Sequence, residues 1–339
     1  GDGADSHSAV ASATGGSGND RLIGDGGANS LSGGAGDDVV VGGPGNDTMI
    51  GGAGDDTLVG ASGVDTVSYS TSLAGVMVNL GSGTGTGEGS DALSGFENAT
   101  GSSGPDTLVG DGGANVLDGG AGADSLIGGD GADALTGGVG IDVADYSAEV
   151  GALTINLAAG VATGDGTDSL SAVENATGGS ANDRLVGDVG ANSMAGGAGN
   201  DVVVGGPGND SMTGNSGRDT LDLSGSLEAV SVDLVAGLAT GDGSDVVESF
   251  ERVIGSAFRD SLLGSVAMEV LEGRHGVDLL AGRGGRDRLV GGSGGDDLRG
   301  GLGPDTILGE SGNDALNGGL GWDTCRGGLG IDSVKRCER

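Results

Sequence analysis

Aromatic residues are nearly absent from this chain: one Trp, two Tyr and three Phe among 339 residues. With four prolines and 82 glycines, it lacks the bulk from which an ordinary packed globule of this length is built. Basic residues are also scarce, 14 Lys and Arg against 50 Asp and Glu. The net charge of −36 argues against nucleic acid as a partner and for cations. No run of 18 apolar residues occurs, so no membrane span is expected. The only histidines and cysteines are His7, His275, Cys325 and Cys337, too few for a series of zinc or other transition-metal sites. His7 and His275 have no nucleophile and acid arranged around them, so no catalytic constellation is expected and the chain reads as a non-enzyme. A groove for hydrolysing polysaccharide would need stacking aromatics, and these are too few and too scattered.

Glycine is plentiful, and it is ordered. Twenty-five times the chain writes a nine-residue unit, G-G-x-G-x-D-x-U-x, with U apolar. Gly33 to Val41, Gly42 to Ile50 and Gly51 to Val59 show it cleanly, with Asp38, Asp47 and Asp56 followed two residues later by Val40, Met49 and Leu58. So short a unit cannot bury a face alone, so copies must stack, and a fixed short period marks a solenoid. One inward apolar residue per unit fits a short strand over a thin core, with two units per coil and two parallel sheets joined by glycine turns.

The units fall into four runs, residues 15–68, 101–145, 178–222 and 255–335, separated by atypical strand-bearing coils at 69–100, 146–177 and 223–254. Residues 1–14 read as a flexible leader and 15–339 as one continuous solenoid, a rod of about 18 coils. From the last aspartate of one run to the first of the next is always 41 residues, so a 77-residue period overlies the nine. Each separating segment is read as two atypical coils with a five-residue bulge, returning to register through Glu88 and Glu97, Asp165 and Glu174, and Asp242 and Glu251.

Stacking brings the aspartate of one unit beside the aspartate 18 residues later, among the carbonyls of a glycine turn. Two carboxylates with carbonyls form an all-oxygen donor set, which suits a hard cation such as Ca²⁺. The metal-ligating candidates are Asp20, Asp38, Asp47, Asp56 and Asp65; Asp106, Asp124, Asp133 and Asp142; Asp183, Asp201, Asp210 and Asp219; and Asp260, Asp278, Asp287, Asp296, Asp305, Asp314, Asp323 and Asp332. The second unit of each run departs from the motif, with Asn29, Asn115, Asn192 and Glu269 at the aspartate position. Pairing at a spacing of 18 gives 17 candidate sites, of which 13 are purely aspartate; 17 divalent ions would bring +34 against the net −36.

On this motif the chain resembles the RTX, or hemolysin-type, calcium-binding repeat family over nearly its whole length. The resemblance implies an all-β fold, a right-handed parallel β-roll with rows of Ca²⁺ along both edges. In the first run Asp20, Asp38 and Asp56 would line one edge, Asp47 and Asp65 the other. It also implies a secreted module that folds on binding Ca²⁺, with roughly 13 to 17 ions expected from the sequence. The tail Lys335-Arg336-Cys337-Glu338-Arg339 does not resemble the apolar secretion signal frequent in that family.

Cys325 and Cys337 stand 12 apart, and in a secreted chain they read as a disulfide capping the last coil, with a pair of buried thiols as the alternative. A monomer is expected. The last quarter differs in kind, because residues 252–339 hold 11 of the 14 basic residues against 13 acids. A second functional reading is therefore an extracellular adhesion rod whose Arg259, Arg274, Arg283, Arg286, Arg288 and Arg299 contact anionic polysaccharide or lipid. Pairing of these arginines with nearby acids is the simpler alternative.

Overall fold

The computed structural model describes residues 3–164 and 166–338, and every regular element among them is a β-strand. The chain forms two compact units, one reaching Glu149 and including Gly160–Asn175, the other made of Val150–Ala159 and the chain from Ala176 onward. Each is a parallel β-solenoid with two strands per coil.

A regular nonapeptide becomes one strand because its apolar residue and the first glycine of the next unit both point inward. In Val39–Pro44, Thr48–Ala53 and Thr57–Ser62, Val40, Met49 and Leu58 are fully buried while the residues before them remain more exposed. Pairing is parallel at a spacing of 18: Val40 lies opposite Leu58, and Met49 opposite Val67. Successive nonapeptides therefore alternate between two sheets. The core is two stacks one side chain wide, with Leu22, Val40 and Leu58 in one and Leu31, Met49 and Val67 in the other.

The glycine turn is a steric requirement. Gly52 has φ +107°, and a Cβ there would strike the carbonyl of Gly34 one coil earlier.

The segments between runs depart from expectation: among the described residues no bulged pair of parallel coils is present. Met77–Asn79, Thr84–Thr86 and Ser90–Ser94 form an antiparallel meander, which joins Thr107–Val109 in parallel at one side and Thr57–Ser62 at the other. The chain overshoots and winds back, placing three strands where a regular coil places one. Ser231–Asp233, Leu238–Thr240 and Ser244–Glu248 repeat the arrangement, and Val161–Thr163 likewise pairs antiparallel with Thr167–Ser171. Alternation at Val76 to Leu80 announces a strand but carries no direction. Glycine-rich tight turns between the short strands allow the reversal.

The segment expected as a leader carries strands from Ser6 onward. Ser6–Val10 pairs in parallel with Arg21–Gly24, and Ser12–Ser17 with Ser30–Ala35. Backbone pairing needs no repeat motif, which is why composition did not reveal it. At the other end Cys325 and Cys337 are disulfide-bonded, with Cα atoms 5.8 Å apart, and Ser333–Lys335 pairs with Ala315–Leu320.

Two meanders are pinned by a phenol. The Tyr69 hydroxyl donates to Asp91 Oδ2 at 2.7 Å, and that of Tyr146 to Asp168 Oδ2 at 2.8 Å, with both rings buried. Burial, reinforced by the adjacent carboxylate, pushes both phenol pKa values upward, so each hydroxyl stays a donor. Tyr69→Phe leaves the buried Asp91 oxygen without its donor and should cost about 1 to 3 kcal/mol, measured as a lower midpoint of urea unfolding in Ca²⁺. An unchanged midpoint would refute the pinning role.

Candidate metal centre

All 21 predicted aspartates stand in rows along the turns, tied together by one recurring bond. The backbone N–H of Asp20 donates to Asp38 Oδ1 at 2.7 Å, that of Asp38 to Asp56 Oδ1 at 2.8 Å, and that of Asp47 to Asp65 Oδ1 at 2.8 Å. The last run continues the pattern from Asp260 through Asp278, Asp296 and Asp314 to Asp332. One oxygen of each carboxylate is thus engaged by the neighbouring coil. The other is not: in 17 of the 21, Oδ2 is buried and receives no hydrogen bond.

The turn keeps the space beside these orphaned oxygens free of side chains. A Cβ on Gly33 would run into both Asp38 Oδ2 and the Gly51 carbonyl, and one on Gly300 into Asp305 Oδ2 and the Gly318 carbonyl. A buried carboxylate oxygen without a donor is strongly unfavourable unless a cation or a proton compensates it. The first repeat glycine therefore leaves a hollow walled by oxygens.

The exceptions are ordered. Oδ2 of Asp106, Asp183 and Asp260, each first in its run, accepts a backbone N–H from Ser102, Gly179 and Ser256 respectively. Their Oδ1 atoms accept from Val76, Leu153 and Val230, apolar residues standing where the preceding acid of the row would be. Asp332 is only half-buried. The amides of Asn29, Asn115 and Asn192 take a backbone N–H from Asp25, Asp111 and Asp188 and return a side-chain N–H to the same residues. These three positions are satisfied without an ion. Glu269 accepts from the Ser265 hydroxyl but keeps Oε2 buried and unpartnered.

The rows also continue through residues outside the predicted set. Asp91, Asp168 and Asp245 accept the N–H of Asp56, Asp133 and Asp210 at 3.0, 2.9 and 3.0 Å, taking the place expected for Glu88, Asp165 and Asp242. Asp165 lies outside the described residues. A signal was present, since Asp91-Ala92-Leu93, Asp168-Ser169-Leu170 and Asp245-Val246-Val247 keep the D-x-U order. Glu97, Glu174, Glu251 and Glu338 accept from Asp65, Asp142, Asp219 and Asp323 in the same way, their longer side chains spanning irregular register.

Burial is the largest cause of raised pKa along the rows, reinforced by neighbouring carboxylates and opposed by the backbone hydrogen bond. Asp56, Asp124, Asp133, Asp201 and Asp305 rise to about 6. Asp278 and Asp287 rise to about 7. At each such position burial disfavours the bare negative charge, which a proton or another positive charge would offset. Among the described residues no three His, Cys, Asp or Glu side chains gather as a metal cluster. The donors are carboxylates in register with turn carbonyls, an all-oxygen set suited to Ca²⁺.

Three of the six C-terminal arginines are already engaged. Arg283 grips Asp233 through two bonds of 2.7 and 2.8 Å, Arg299 holds Asp297, and Arg274 donates to the Ser224 carbonyl. No helix among the described residues is long and apolar enough to cross a membrane.

The family model for the RTX calcium-binding nonapeptide repeat (4 copies) matches residues 14–49, 32–67, 91–126, 109–144, 177–212, 196–225, 272–307 and 299–334, together more than half of the chain. No curated protein matches it.

Proposed function

We propose, since the chain belongs to the RTX calcium-binding nonapeptide repeat family, that its aspartate rows take up a series of Ca²⁺ ions and that this uptake completes the fold of a secreted structural module. The observation that carries the reading is the set of 17 buried aspartate oxygens without a hydrogen-bond donor. Asp20, Asp38 and Asp56 would serve one edge of the first run, Asp47 and Asp65 the other, and the long row from Asp278 to Asp314 would serve the last. The ion supplies positive charge that no side chain of the rows provides. The protein's own part is to hold one oxygen of each carboxylate by a backbone N–H and to keep side chains out of the hollow beside the other.

Location follows from the same chemistry. Ca²⁺ is abundant outside cells, and sites of modest affinity would fill there, so folding would follow export. The Cys325–Cys337 disulfide supports an oxidising compartment.

Equilibrium dialysis against Ca²⁺ tests the proposal. Roughly 13 to 17 ions per chain are expected, from the 13 purely aspartate pairs to all 17 pairs at a spacing of 18 in the repeat runs. Uptake of only one or two ions would overturn the reading, because a single adventitious site could account for it.

A further inference from the structure

The three segments between runs recur every 77 residues, and their backbones fold alike. Ser72, Glu149 and Ser226 donate their N–H to the carbonyls of Tyr69, Tyr146 and Leu223 at 2.9, 2.9 and 3.1 Å. Leu93, Leu170 and Val247 donate to Gly83, Gly160 and Gly237 at 2.9, 2.9 and 3.0 Å. One side chain breaks the equivalence. The position of Tyr69 and Tyr146 is held by Leu223, too short to reach where a phenol ring would go and without a hydroxyl.

At this place the third segment has a cavity of about 310 Å³, walled chiefly by Leu223, Met212, Val230, Thr240, Asp242 and Asp245. Its character is apolar with one buried acid. Asp245 is 5% exposed and lines the cavity; its Oδ1 accepts the Asp210 N–H, and among the described residues no hydrogen bond reaches its Oδ2. The counterpart oxygens of Asp91 and Asp168 are those that take the tyrosine hydroxyls. Ala239 raises no obstacle, because its equivalent Ala162 stands buried opposite Asp168 in a segment whose Tyr146 still bonds that acid.

We propose that this cavity binds a small free phenol, its hydroxyl donating to Asp245 Oδ2 and its ring lying among Leu223, Met212 and Val230. The volume is at the lower end for ligand pockets, enough for one small ring. Two features of the site act together: the ring fills apolar space left by a missing side chain, and the hydroxyl gives the second oxygen of Asp245 the donor that tyrosine supplies in the other two segments.

The test is calorimetric titration of the Ca²⁺-loaded protein with p-cresol. Saturable binding of one molecule per chain is expected. Toluene, of the same shape without the hydroxyl, should bind at least about tenfold more weakly, because a hydrogen bond to a charged group is lost. Leu223→Tyr rebuilds the side chain of the other two segments and should abolish p-cresol binding while Ca²⁺ uptake and circular dichroism stay unchanged. Absence of saturable binding to the unmodified protein, equal affinity for toluene, or undiminished binding by a folded Leu223→Tyr variant would each overturn the proposal. Should Leu223→Tyr fail to fold, the p-cresol and toluene arms on the unmodified chain still decide.

Discussion

Chelation of Ca²⁺ at neutral pH should erase the β-sheet circular dichroism of this chain, and millimolar Ca²⁺ should restore it. The size of the effect follows from opposing terms. Glycine loses more backbone entropy on ordering than any other residue, and 82 of the 339 residues are glycine, whereas the apolar core is only one side chain wide in each stack. Against that thin core stand rows of buried carboxylates with their second oxygens unpartnered. A ligand present at about tenfold its dissociation constant stabilises the folded state by about 1.4 kcal/mol per site, so 13 to 17 sites amount to on the order of 20 kcal/mol. Typical net stabilities are about 5 to 15 kcal/mol, so withdrawing this contribution changes the sign of the folding free energy. Mg²⁺ at the same concentration should restore little of the signal, because it demands tight octahedral geometry and sheds water reluctantly. A spectrum indifferent to both chelator and Ca²⁺ would refute calcium-completed folding.

Most of this was legible because the repeat ties each chemical role to a fixed offset. Asp38 is buried and Val40 inward for the same reason as Asp56 and Leu58, and 18-residue pairing follows once two units make a coil. The runs could thus be read residue by residue. Legibility fell where the period broke. Glu88 was expected in the row because it stands nine residues before Glu97, yet Asp91 takes the place, since the antiparallel meander shifts register by three residues. Strand direction is set by which backbone edges are open, and Met77-Val78-Asn79 reads the same either way. The orphaned oxygens were equally hidden: spacing showed that acids would meet, but not that one oxygen of each is held by a backbone N–H. Nor could spacing show that Asp106, Asp183 and Asp260 satisfy themselves within their own turns.

Replacement of Asp278 by Asn should have opposite effects with and without Ca²⁺. Burial, the largest cause, raises the Asp278 pKa to about 7, with Asp296 and Asp260 adding repulsion. Its folded-state pKa therefore lies above the unfolded value of about 3.9, so its favourable contribution is fully present below about pH 4. That contribution is lost as pH rises through about 7. The same direction holds for Asp56, Asp124, Asp133, Asp201, Asp287 and Asp305. In chelator, then, β-structure should persist in mild acid and melt on approach to neutrality. Bound Ca²⁺ reverses the slope, because protons compete with the ion for the same oxygens. An amide at position 278 carries no charge to desolvate, and Asn115 shows that such a turn can house one, its amide donating to the Glu97 carbonyl. In chelator the variant should hold its structure to a higher pH than the parent chain. In Ca²⁺ it should need more of the ion to fold and lose about 1.4 kcal/mol or more, the value of one site at tenfold its dissociation constant. Circular dichroism followed against pH in chelator and against Ca²⁺ at pH 7 measures both arms. Shifts of the same sign in the two arms would show that Asp278 acts through packing rather than through its charge.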